Sequence, residues 1–166
     1  MEIIFGGKAV SLYGTQVKVG DLAPDFTVMD NNLKPVKLSD FKGKVKLISV
    51  FPSIDTSVCS IQNQKFNKEA NVYADKVNFL AISVDLPFAL KRFCGAEGIA
   101  NLQTLSDHKN TEFGQKYGFL INELRLLARG VIIIGNDDIV KYVEIVGEIA
   151  HEPDYNSALK SLRSIV

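Results

Sequence analysis

Three stretches of this chain are largely apolar, the first towards its end, have the length of a strand, and stop at a residue that breaks one. Lys44–Phe51 reads Lys-Val-Lys-Leu-Ile-Ser-Val-Phe and ends at Pro52, Asn78–Val84 ends at Asp85, and Gly130–Ile134 ends at Gly135. A strand with one face in water alternates apolar and polar residues; a strand covered on both faces does not. These three therefore predict a buried central sheet that needs helices on both sides. The intervening sequence supplies them. From Ser57 the apolar period becomes helical, and Cys59, Phe66, Ala70 and Tyr73 share one narrow face. Pro87 opens a helix through Phe93, at the first position that proline favours, and Cys94 and Gly95 fall at its C-terminal end. Asn110–Tyr117 is a helix stopped by Gly118, and Tyr155–Ile165 is a last amphipathic helix behind Pro153.

The rest of the chain reads as shorter β pieces. Glu2–Phe5 and Ala9–Leu12 flank Gly6-Gly7, a hairpin signal. Phe26–Met29, Val36–Leu38 and Leu102–Leu105 are brief strands, and Ile139–Val146 pairs back onto Gly130–Ile134 across Gly135-Asn136-Asp137-Asp138. Strands and helices that alternate, followed by a late hairpin, predict an α/β fold with a mixed central sheet flanked by helices. The 166 residues amount to about one domain, and no repeat or linker divides them, so residues 1–166 are expected to form a single domain.

Charge narrows the partners. The chain has 19 basic and 19 acidic side chains, a balance that argues against nucleic acid or an anionic membrane surface. No apolar run approaches the ~20 residues of a membrane span. The N-terminus has no basic region followed by an apolar core, so no secretory signal is expected. Two cysteines are too few for a disulfide-stapled scaffold.

Those two cysteines carry the chemistry. Phe51-Pro52-Ser53-Ile54-Asp55-Thr56-Ser57-Val58-Cys59 is a strand end, a hydroxyl-rich loop, and a helix N-terminus that holds a thiol. Free N–H groups and the positive end of the helix dipole favour thiolate over thiol, and the thiolate is the nucleophile. Thr56, three residues earlier, can hydrogen-bond the sulfur. The competing reading makes Cys59 a small buried core residue, as most free cysteines are. On the same bland terms Cys94 is a packed residue at a helix end and Arg129 caps a strand towards water. His108 and His151 with the two cysteines do not make a zinc set, because neither a Cys-x₂₋₄-Cys nor a His-x₃₋₅-His pair exists.

Pro52-x-x-x-Thr56-x-x-Cys59 resembles the active-site signature of the peroxiredoxins, and Ser53-Ile54-Asp55-Thr56-Ser57-Val58-Cys59 is similar to that of their bacterial thiol peroxidase branch. The likeness continues through Leu86-Pro87-Phe88-Ala89-Leu90-Lys91-Arg92-Phe93-Cys94-Gly95-Ala96-Glu97-Gly98-Ile99, through Thr104-Leu105-Ser106-Asp107-His108, through Ala128-Arg129 before an apolar strand, and through Glu152-Pro153-Asp154-Tyr155. The resemblance implies a thioredoxin-like fold with an N-terminal β-hairpin extension. It implies a thiol-dependent peroxidase that reduces hydrogen peroxide and organic hydroperoxides in antioxidant defence without metal, flavin or haem. Cys59 is then the peroxidatic cysteine and Cys94 the resolving one, closing an intramolecular disulfide that thioredoxin reduces. Thr56 aligns sulfur and peroxide, Pro52 shields the pocket, and Arg129 stabilises the thiolate and the leaving oxygen. A homodimer in the cytoplasm is the implied working form.

Three other functions stay open on the residues. A thioredoxin-like disulfide exchanger needs Cys-x-x-Cys, and position 62 is Gln and position 56 Thr. A redox-inert binding module would consume no peroxide. A peroxide sensor would share the first chemical step. The disulfide itself demands Cα atoms within roughly 7 Å, and two cysteines on different helices are not expected to meet that while reduced, so local unwinding is expected on oxidation.

Overall fold

The computed structural model describes residues 1–73 and 75–166. Among the described residues, nine strands and four α-helices follow one another as β1 (Glu2–Phe5), β2 (Lys8–Ser11), β3 (Thr27–Met29), β4 (Pro35–Lys37), β5 (Val45–Val50), α1 (Ser57–Val72), β6 (Val77–Ser83), α2 (Pro87–Glu97), β7 (Gln103–Ser106), α3 (Glu112–Tyr117), β8 (Gly130–Ile134), β9 (Val140–Ile145) and α4 (Tyr155–Arg163). Seven strands form one sheet in the order β4-β3-β7-β6-β5-β8-β9. The three at its heart, β7, β6 and β5, run parallel, and β8 and β9 add antiparallel on the other side of β5. This is the mixed sheet that the sequence predicts, in the thioredoxin-like form that the resemblance implies, and β1 and β2 make the separate N-terminal hairpin.

Alternation along β5 sorts its side chains between two cores. Ile48 and Val50 face one side, where they pack with Leu80, Ile82, Ile132, Phe113 and Tyr117. Leu47 and Phe51 face the other, with Phe66 and Ala70 of α1, Leu90 and Phe93 of α2, and Ala158 and Leu162 of α4. Every residue of β5 is buried, Lys46 and Ser49 included. Ser49 shares the parity of Leu47 and Phe51 and so points at α1.

Hairpin β1–β2 is fixed to the body by its first strand. Ile3, Val10 and Leu12 are buried in the first core. The Ile4 N–H donates to the Gly147 carbonyl at 2.8 Å, and the Ile149 N–H donates to the Ile4 carbonyl at 3.0 Å. The segment after β9 is thereby held in place by the beginning of the chain.

Among the element boundaries that differ from the sequence reading, one affects Cys94. Helix α2 does not end at Cys94–Gly95. It continues to Glu97, and Gly98, with φ +64°, closes it by donating its N–H to the Cys94 carbonyl. Gly95 carries no positive φ, so nothing at its position stops the helix, whereas Gly98 adopts the left-handed conformation that terminates one. Leu38, read as the end of a strand, starts a 3-10 turn, Leu38–Phe41, and turns its side chain into the core.

Candidate active site

Cys59 is the third residue of α1, on the face that α1 buries, and its side chain is fully enclosed. The helix begins after Thr56, whose extended backbone places it at the N-cap. An N-cap threonine ordinarily spends its hydroxyl on a backbone N–H of the first turn. Here it makes no such cap. Its Oγ1 lies 2.8 Å from Cys59 Sγ and 3.0 Å from the Ser53 carbonyl. One hydroxyl proton thus has two acceptors. With the sulfur protonated, S–H donates to Oγ1 and the hydroxyl donates to Ser53; with the sulfur ionised, the hydroxyl turns to it. The uncapped N–H groups of the first turn add the positive end of the helix.

Arg129 arrives from the residue before β8 and is 2% exposed, so it does not cap a strand towards water. Its Nη1 donates to Cys59 Sγ at 3.3 Å and to Gln62 Oε1 at 2.9 Å, and its Nε donates to the Ile149 carbonyl at 2.7 Å. A guanidinium is planar and always charged, and three such contacts fix it with its charge against the sulfur. Among the described residues no carboxylate pairs with it. Its Nη1 therefore faces the Cys59 sulfur with no competing carboxylate among the described residues.

Behind Arg129 runs a buried chain of polar side chains that the sequence reading passed over. Gln62 Nε2 donates to Ser49 Oγ at 2.8 Å and to the Val50 carbonyl, and Ser49 Oγ donates to Asn63 Oδ1 at 3.0 Å. Gln62, Asn63 and Ser49 are all fully buried. Gln62 follows Cys59 by three positions and therefore shares its face. A polar residue on the buried face of a helix was the available signal.

The loop that carries Pro52 and Thr56 is tied from below by Asp85, another residue missed from sequence. Its carboxylate accepts from Ser53 Oγ at 2.9 Å, from the Ile54 N–H at 2.8 Å and from Ser83 Oγ at 2.7 Å. Pro52 itself is buried just after β5. One wall beyond Cys59 is aromatic: Tyr155 of α4 meets the Phe66 ring edge-on at 5.4 Å. Burial, and a hydrogen bond donated to Glu152, hold the Tyr155 phenol in its neutral form far above neutral pH.

Cys94 stands apart from this group. It is half-buried on α2, is not bonded to Cys59, and touches Thr104 and Asn31 instead. The structure thus brings Cys59, Thr56 and Arg129 together and leaves Cys94 outside their contacts. Among the described residues no cluster of His, Cys, Asp or Glu could hold a metal ion, and no helix is long and apolar enough to cross a membrane.

With this geometry in view, the likeness to known proteins can be placed. Residues 18–159 match the family model described as Redoxin. The chain is 52% identical to the thiol peroxidase of Oceanobacillus iheyensis, over 97% of this chain and 98% of that protein. It is 53% identical to the thiol peroxidase of Halalkalibacterium halodurans, over 98% of each. Among solved structures it superposes on the peroxiredoxin-like protein of Aquifex aeolicus with a TM-score of 0.92 at 35% identity, covering 99% of this chain and 97% of that one. An arginine and a hydroxyl on a helix-borne thiol, on a sheet of this order, in a sequence this close to those relatives, leave one conclusion: the chain belongs to the redoxin family and, within it, to the thiol peroxidases of the peroxiredoxin group.

Proposed function

We propose that this thiol peroxidase reduces hydroperoxides through Cys59 and regenerates itself through Cys94. The observation that carries the reading is the enclosed Cys59 sulfur, with the Arg129 guanidinium at 3.3 Å and the Thr56 hydroxyl at 2.8 Å. The Cys59 thiolate attacks the terminal oxygen of the peroxide. An S–O bond forms as the O–O bond breaks, and the leaving oxygen takes up the proton that the thiol had released, giving water or an alcohol and a Cys59 sulfenic acid. Arg129 meets charge that moves from sulfur to the leaving oxygen, a preorganised electrostatic role. Thr56, with one proton to share, aligns sulfur and peroxide, and Pro52 keeps water from the pocket.

In the second stage the Cys94 thiolate attacks the sulfenic sulfur. An S–S bond forms, the S–O bond breaks, and the hydroxide that leaves becomes water with the proton Cys94 gave up. Thioredoxin then reduces the disulfide by thiol exchange. Family membership supports that reductant, a homodimeric working form and service as one domain. A disulfide that must be reduced at every turnover suits the cytoplasm, where thiols are kept reduced.

The test is peroxide consumption by the purified reduced protein, with hydrogen peroxide and an alkyl hydroperoxide in turn, coupled to thioredoxin and its reductase. Multiple turnovers with the wild type and none with Cys59→Ser support the reading. Turnover that survives loss of the Cys59 sulfur ends it.

A further inference from the structure

Cys94 sits in a small polar cradle that the reaction just described does not use. Its Sγ is 3.3 Å from Thr104 Oγ1 on β7, a contact in which either atom can donate, and accepts an N–H from Asn31 Nδ2 at 3.9 Å in the turn between β3 and β4. Thr104 Oγ1 in turn donates to Asn31 Oδ1 at 3.0 Å. Thr104 is 2% exposed, and nothing on it is spare. A hydroxyl has one proton and two lone pairs. The proton of Thr104 goes to Asn31 Oδ1, so a protonated Cys94 gives its S–H to the Thr104 hydroxyl while the Asn31 amide gives an N–H to the sulfur, and an ionised sulfur can still accept from both. A sulfur bonded to both is held against β7 and the β3–β4 turn, outside the contacts of Cys59. The cradle also opens onto a cavity of about 220 Å³ lined by Asn31, Asn32, Gln103 and Thr104, a different cavity from that beside Thr56 and Ser57.

We propose that Thr104 and Asn31 are positioning residues that hold Cys94 back, and so set how long the Cys59 sulfenic acid survives before the disulfide closes. The proposal rests on the assignment of Cys59 and Cys94 given above. Before Cys94 can reach Cys59 and attack, it must leave Thr104 and Asn31, and the free energy of those contacts adds to the barrier of the second stage without touching the first. A neutral hydrogen bond contributes a factor of roughly 2–10, so the cradle slows resolution by about that much.

Two measurements on the full chain separate the cradle from the reading beneath it. The first is the rate at which iodoacetamide alkylates Cys94 in the Cys59→Ser protein, which requires no peroxidase chemistry. Thr104→Val, and independently Asn31→Ala, should raise that rate by about 2–10-fold, while Thr104→Ser should restore the wild-type rate. Unchanged alkylation in both variants, in protein shown by circular dichroism to be folded, overturns the cradle whatever the enzyme does. The second is rapid mixing of the two-cysteine protein with one equivalent of hydrogen peroxide, quenched into dimedone and read by mass spectrometry. Thr104→Val should leave the rise of the Cys59 sulfenic acid as in the wild type and hasten its decay to disulfide by the same factor. A decay that is unchanged or slower overturns the rate-setting role. Should the wild type form no Cys59 sulfenic acid at all, the peroxidatic assignment falls and the proposal with it, whereas the alkylation result would still report on the contact itself.

Discussion

Replacing the sulfur at position 59 by oxygen leaves its neighbours in place and removes the nucleophile, because a serine hydroxyl is not ionised at neutral pH. Cys59→Ser is therefore expected to abolish turnover. Cys94→Ser should consume about one equivalent of peroxide per chain and stop, a stoichiometry that follows from the two-stage scheme and is read by titrating residual peroxide. Arg129 donates to the sulfur as well as to Gln62 and Ile149. Arg129→Met keeps much of its bulk and drops the charge, and the peroxide step should slow by about 10²–10³, the range for losing a preorganised donor. Gln62→Ala should slow it less, since the Ile149 carbonyl still holds the guanidinium; stopped-flow oxidation of both variants orders the two effects. A different residue governs how stability responds to pH. Asp107 is buried, which pushes its carboxyl up to about 7 against the opposing pull of the Gly114 and Phe113 N–H groups. The folded state then binds this proton more tightly than the unfolded chain, whose value is near 3.8. Its contribution is complete below about pH 4 and is lost as pH rises through about 7. Urea unfolding between pH 5 and 8 should show the stability of the wild type falling relative to Asp107→Asn as pH rises, and a pH-independent difference would contradict the assignment.

At the scale of elements, the chemistry demands motion. Cys59 lies in the first turn of α1, fully buried, and Cys94 in the last third of α2, facing Thr104. Forming the disulfide should unwind the first turn around Val58–Ile61 and the turn around Phe93–Gly95. Because α2 runs on to Gly98, that unwinding releases everything after Phe93, a larger piece than the sequence reading of the helix end implies. Hydrogen exchange is expected to show lost protection in both segments of the oxidised protein, with Lys46–Val50 and Val131–Ile134 unchanged; equal protection in the two redox states would exclude the unwinding. Much of this was legible in advance. The apolar runs of β5, β6 and β8 announced themselves because burial on both faces leaves no polar alternation to hide them, and the helical face that carries Cys59 and Phe66 followed from its period. The proline–threonine–cysteine spacing and Arg129 came with the resemblance. What was not legible were bonds between elements. Gln62 against Ser49, Asp85 under the Ser53 loop and Thr104 against Cys94 join residues far apart in sequence, and no local period encodes them. Gly95 was read as a stop because glycine so often is one, while the φ that made Gly98 the true stop is visible only in the folded backbone.

Across the whole molecule, the two cores divide the labour. The side containing α1, α2 and α4 carries both cysteines, and the opposite side, beneath the hairpin, is built from Phe26, Phe113, Tyr117 and their aliphatic neighbours. Phe26 meets Phe113 and Tyr117 edge-on, at 5.1 and 5.6 Å, which gives that side a rigid aromatic centre far from the reacting sulfur. A hydrogen-bonded connection links the two. Ile149 receives Arg129 through its carbonyl and gives its N–H to Ile4 in the first strand. Ile4 also reaches Gly147 through its own N–H, which a proline could not do. Ile4→Pro should therefore lower kcat/KM for peroxide by more than its loss of thermal stability accounts for, and its effect should shrink when Arg129 is already methionine. Independent, multiplicative losses in that double mutant would show that no such connection operates. If it does, strand β1, which bonds to neither Cys59 nor Arg129, enters the rate law of the enzyme, and a change to its backbone becomes a kinetic perturbation rather than a neutral one.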